Sequence, residues 1–228
     1  MATLKETATI TDYQNFIREV YGVPNDKHFS VGDMHTNVER FLMRGLKGIR
    51  KKDSEKIKSN LMIATSWCLS LLNRFHIPLE EEVWQRFPYL CSYCGSCPCT
   101  CKAQKISTRQ AVRVDESKRP HTIRDFQEMF KQIYPPAGRT LEHAGIHLAE
   151  ELGEFSEAIL IYQSSRNEKD FANIRLEVAD FFSCLMGVFN SADIDVAREL
   201  SAYFSENCHK CKQAPCACTF TDVLSFKS

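Results

Sequence analysis

Cys91-Ser-Tyr-Cys94-Gly-Ser-Cys-Pro-Cys99-Thr-Cys101 and Cys208-His-Lys-Cys211-Lys-Gln-Ala-Pro-Cys216-Ala-Cys218 share one spacing, C-x2-C-x4-C-x-C, with proline before the third cysteine of each set (Pro98, Pro215). A match of this length within one chain marks an internal duplication, and self-similarity decides the fold before any local pattern does. The register runs outward from the cysteines. Without a gap, residues 59–91 lie over 176–208, pairing Ser66 with Ser183, Asn73 with Asn190, Glu82 with Glu199 and Phe87 with Phe204. Upstream, residues 10–21 lie over 123–134. His35 then falls on His147 and Glu39 on Glu151, with about five residues inserted after Tyr162. The chain thus divides into two repeats, 1–115 and 116–228, with the charged stretch Lys102–Pro120 as linker.

Each repeat has helical periodicity. Tyr13, Phe16, Ile17 and Val20 recur at spacings of three and four behind a cap expected at Thr11-Asp12, and Leu148, Leu152, Phe155 and Ile159 form a second stripe. A further helix is expected over Ile174–Phe189, a turn over Asn190–Asp195, and a short helix from Asp195 through Phe204. With few glycines and no alternating valine-rich segments, the fold class is all-α.

Four thiolates within eleven residues suit one closed tetrahedral Zn²⁺. Cys91, Cys94, Cys99 and Cys101 form one structural clip, and Cys208, Cys211, Cys216 and Cys218 the other. Each is expected to tie the end of its own repeat against that repeat's helices. Cys97 has no counterpart and is expected to be free, while Cys68 and Cys184 fall mid-helix as core residues.

The acidic residues are unevenly shared. Residues 1–115 hold 17 basic and 12 acidic side chains, and 116–228 hold 12 and 17. Glu150-Glu151-Leu-Gly-Glu154 lies on one expected helix and Glu177-Val-Ala-Asp180 on the next. Groups three apart share a helical face, so Glu151 with Glu154, and Glu177 with Asp180, would converge if the helices run antiparallel. Such crowding needs cations, and hard oxygen ligands suit Mg²⁺. In the first repeat, Glu150, Glu154, Glu177 and Asp180 are replaced by Val38, Leu42, Asn60 and Ile63, and only Glu39 remains. The first repeat therefore reads as inactive.

E-E-x-x-E, 22 residues, then E-x-x-D resembles the signature of the MazG-like all-α nucleoside triphosphate pyrophosphohydrolases. The resemblance covers about 123–218 directly and 10–101 through the repeat. It implies Mg²⁺-dependent hydrolysis of a (deoxy)nucleoside triphosphate to monophosphate and pyrophosphate, in nucleotide-pool control or a stress or antiviral response. It implies that Glu151, Glu154, Glu177 and Asp180 ligand Mg²⁺, with Glu150 a further ligand or the group acting on the attacking water. It also implies that a partner subunit completes the site, a role the first repeat would fill as an intramolecular pseudo-dimer. Arg44, Lys47, Arg50 and Lys51 would then meet the substrate's phosphates, the alternative being a solvated basic face.

His147 and Asn190 keep their counterparts in the inactive repeat and so read as structural; Trp67 and Trp84 read as core. A nucleotide sensor without turnover, or a zinc-stabilised interaction protein, are the competing functions. No apolar run approaches a membrane span, no signal-peptide pattern opens the sequence, and no basic-aromatic surface suggests nucleic acid. The expected location is cytoplasmic, and further pairing of chains into a homo-oligomer is left open.

Overall fold

A computed structural model describes residues 1–106 and 108–226, and helices are their only regular structure. In chain order these are α1 Ile10–His28, α2 Val31–Lys51, α3 Ser54–Phe75, α4 Leu79–Arg86, α5 Cys101–Gln104, α6 Ile123–Ile133, α7 Leu141–Ser165, α8 Glu168–Ser191, α9 Val196–Tyr203 and α10 Phe220–Ser225. Helices α1–α4 correspond by the repeat register to α6–α9. The first cap lies earlier than expected. Thr9, not Thr11, caps α1, because Asp12 closes a capping box with it, and Thr122 and Asp125 do the same for α6.

Helices α2 and α3 form a hairpin joined at Lys52 and Asp53; α7 and α8 form its counterpart, joined at Arg166 and Asn167. In each, the first connecting residue takes a left-handed conformation, φ 56° at Lys52 and 55° at Arg166, and the second caps the next helix through its side chain.

The compact units do not follow the repeats. One comprises Met1–Pro78 with Asp195–Ser228, the other Leu79–Ile194. Each unit therefore holds the main helices of one repeat and the tail of the other. In the first unit, Phe204 from the second repeat packs on Tyr13 and Phe16, ring centres 5.8 and 5.3 Å away. In the second, Phe87 from the first repeat packs on Phe130 at 5.3 Å and Tyr134 at 6.3 Å. Matching ion pairs accompany the exchange: Lys58 with Glu199 at 3.1 Å, and Arg175 with Glu82 at 2.7 Å, occupy the same repeat positions.

The expectation that each clip ties down its own repeat is therefore corrected. Cys216 N donates to Val20 O at 2.7 Å and Cys99 N to Ile133 O at 2.8 Å, so each clip seats on the first helix of the opposite repeat. The cause is the buried face of the tail. Leu79, Val83, Trp84 and Phe87 are each 2% exposed or less, and the helix carrying three of them packs on α8. Returning that apolar face to water would cost about 1.5–3 kcal/mol for each large side chain.

The turns that launch the tails are held alike. Gln14 donates to Ile77 O and Gln127 to Ile194 O, while Asn73 and Asn190 donate back to the backbones of those two glutamines. Trp84 is fully buried and Trp67 nearly so, both in cores.

A fragment spanning 79–194 is expected to fold alone, with a cooperative thermal transition. A fragment spanning 116–228 lacks α4 and Phe87, leaves Phe130 uncovered, and is expected to melt without cooperativity. Circular dichroism of the two fragments checks this; cooperative melting of 116–228 alone would contradict the exchanged tails.

Candidate functional site

Both cysteine sets converge. Within each, the four sulfurs lie within 4.8 Å of one another. Cys91 and Cys101 are 3.8 Å apart, Cys94 and Cys99 3.9 Å, Cys211 and Cys216 3.7 Å. Four thiolates around a tetrahedral ion at a metal–sulfur length of about 2.3 Å have sulfurs about 3.8 Å apart, so the donor set fits zinc-like coordination. The turn inside each clip needs a left-handed residue at one repeat position, supplied by Gly95 (φ 65°) and Lys212 (φ 58°). Cys97 is exposed, and Cys68 is buried with its thiol pushed up to about 12.

The carboxylates are set by α7 and α8. Leu148, Leu152, Phe155, Val178 and Phe181 bury the inward stripes of the two helices, which turns Glu151, Glu177 and Asp180 toward each other. Their carboxylate oxygens lie within 4.8 Å of one another. Glu154, one turn along α7, is exposed, yet its charge acts on Glu151 and Glu177. Glu150 is also exposed and lies outside the converging three. Glu151 Oε2 is buried without a hydrogen-bond partner. Burial, then the Asp180, Glu154 and Glu177 charges, raise the Glu151 pKa to about 7, against the pull of Arg86. Burial and the neighbouring carboxylates also raise Glu177.

Arg86 is a residue that reasoning from the sequence missed. It grips Asp180 with two nitrogens, Nε at 3.0 Å from Oδ1 and Nη2 on Oδ2. It stands at the end of α4, in the tail contributed by the first repeat. Arg109 follows from the same side, with Nη2 4.0 Å from Asp180 Oδ2 and its guanidinium over the Tyr93 ring. Comparing Arg86 with its counterpart Tyr203 would have raised the signal, since a cation replaces an aromatic ring where an acid (Asp180) replaces Ile63.

Glu151 and Asp180 form one wall of a cleft of about 590 Å³. Lys102, Arg109, Arg139, His143 and His147 line it elsewhere. His147, read from sequence as structural, is thus at the cleft, its ring 4.5 Å from that of His143 and its pKa lowered by burial and that neighbour. Cys184, expected in the core, borders the same space.

No family model, curated protein or solved structure matches this chain. The site is therefore read from its own geometry and from the contrast between repeats. At the corresponding place in the first unit, the space is small, about 80 Å³, and nearly all apolar. There α10 folds in after the clip. Phe226 reaches Phe41 and Phe220 reaches Phe29, with Arg40 and Arg44 donating to the Val223 and Phe226 carbonyls at 2.8 and 2.9 Å. Asn60, standing where Glu177 does, spends its amide on Lys56 O. Of the basic residues on α2, Arg44 is thus engaged with the backbone, while Lys47, Arg50 and Lys51 are exposed. No helix among the described residues is long and apolar enough to cross a membrane.

Two predictions follow from these charges and thiols. The clips should retain two metal equivalents per chain, and Cys99→Ser with Cys101→Ser should leave one. The loss should lower stability by about 3 kcal/mol or more, given the folding energy carried by structural metal; elemental analysis and thermal unfolding check both. In the second, a raised carboxyl pKa favours the protonated folded state. The stability it contributes is present at acid pH and lost as pH rises through about 7. Without divalent cations, melting temperature should fall between about pH 4.5 and 7, and fall less in Glu151→Gln; equal slopes would refute the assignment.

Proposed function

We propose that the protein is a MazG-like nucleoside triphosphate pyrophosphohydrolase with its site in the second unit. The observation that carries this reading is the convergence of Glu151, Glu177 and Asp180, two of which, Glu151 and Asp180, line a cleft that also presents cations. A carboxyl raised to about 7, with a buried oxygen that has no partner, fits a donor waiting for a metal ion. The chain would act as a pseudo-dimer of repeats with one live site.

Glu151, Glu177 and Asp180 would hold Mg²⁺, with Glu154 as a fourth donor from the next turn. When bound, Mg²⁺ would offset the charge of the polyphosphate and lower the pKa of the attacking water. Glu150 would orient that water and take its proton. Arg86, fixed to both oxygens of Asp180, holds that carboxylate in position and offsets part of the acidic charge before substrate arrives. The two tetracysteine clips would hold Zn²⁺ in a structural role. The clip of the first repeat shares the cleft, since Cys91, Cys99 and Cys101 line it, so its metal would shape the wall opposite the carboxylates.

Pyrophosphate release from a panel of ribo- and deoxyribonucleoside triphosphates with Mg²⁺ tests the proposal. Asp180→Asn and Glu154→Gln should each lower turnover, Asp180→Asn by about 100-fold, the scale of losing one preorganised charge. Glu39→Gln should have no effect. Nucleotide binding without release from any of them would indicate a sensor instead.

A further inference from the structure

Besides the carboxylates Glu151 and Asp180, the cleft is lined by the cations Lys102, Arg109 and Arg139, and the best placed of these is Arg139. This residue leads into α7 and is partly buried; its Nε is buried with no hydrogen-bond partner. No ion pair joins it to a carboxylate among the described residues. Its guanidinium packs on Gly187 so closely that a Cβ there would stand only 2.2 Å from Nη2. Gly187 therefore makes room for the charge. In the first repeat that position is Ser70, which accepts a bond from Asn25. Burying an arginine without an anion is unfavourable, and the cost is recovered when an anion reaches it.

We infer that Arg139 and Arg109, which both line the cleft, form the polyphosphate-binding wall of this site. The inference rests on the reading of the cleft as a nucleoside triphosphate site and deepens it by naming the residues that take the phosphates. A planar guanidinium offers parallel donors that match two phosphate oxygens, and that of Arg139 packs on Gly187 with no competing acid paired to it. Arg109, 4.0 Å from Asp180 and stacked on Tyr93, sits where the metal-proximal phosphate would meet it. This assigns to the second unit a role first sought on α2, where Arg44 is bound to a carbonyl.

Calorimetric titration of the full chain with inorganic tripolyphosphate and Mg²⁺ tests the wall directly. The wild type should bind. Arg139→Met should weaken binding about 10-fold or more, the loss of a charged hydrogen-bond donor, and Arg139→Lys should restore part of it. Arg109→Met, at an exposed position, should weaken it as well. Lys47→Met with Arg50→Met should change nothing.

Wild-type affinity in both Arg139→Met and Arg109→Met would overturn the inference, as would loss of binding in the α2 double variant. In turnover assays the same substitutions should raise KM more than they lower kcat. Turnover in the wild type with unchanged KM in both arginine variants sinks the wall and leaves the enzyme standing. Arginine-dependent tripolyphosphate binding, with no pyrophosphate released from any nucleotide, supports the wall and removes the enzyme.

Discussion

Everything in this fold hangs on where the two tails are buried. A helix of eight residues and a tetracysteine clip cannot make a core alone; they hold position because Phe87 and Phe204 each fill a gap among aromatic side chains of the other repeat. The main-chain bonds from Cys99 to Ile133 and from Cys216 to Val20 then fix the height of each clip against its host helix. That single constraint delivers Arg86 to Asp180 and closes the cleft with the first cysteine set. Loss of either phenylalanine to alanine would remove about 3–5 kcal/mol of packing, and with it the alignment of the residues beyond.

Much of this was legible in the sequence because it is written at short range. The thiol spacing, the helical stripes of α7 and α8, and the three-residue separation of Glu177 and Asp180 are local facts that geometry converts into structure. The exchange was not legible. Aligning the repeats tells which residue answers to which, but not whether a tail packs on its own helices or on those of its counterpart; both arrangements bury the same side chains. Glu154 shows a finer limit. Sharing a face with Glu151 places it near the cluster, yet the crossing of α7 and α8 leaves it one turn outside the closest three.

The exchange also divides the second unit's site between the two repeats. Subtracting the first repeat from the second finds the carboxylates on α7 and α8, because they belong to the main helices. It hides Arg86 and Arg109, which the first repeat itself supplies. Once the tails are assigned to their hosts, the proper comparison sets Arg86 and Asp180 against Tyr203 and Ile63. A charged pair has become an apolar one, and the space left behind is filled by Phe226 and α10. Where the first unit lacks the carboxylates, the corresponding space is small and apolar.

The division of the chain into Leu79–Ile194 and the two segments around it has a consequence for biosynthesis. The unit with the acidic cleft is one unbroken stretch, complete as soon as α8 has been made. The other must keep α1–α3 waiting, with the place of Phe204 unfilled, until α9 emerges. At about 5–20 residues per second, the 116 residues between its two segments represent roughly 6–23 s. During that interval Tyr13, Phe16 and Tyr21 are an incomplete hydrophobic surface, and their protection falls to whatever meets the nascent chain first.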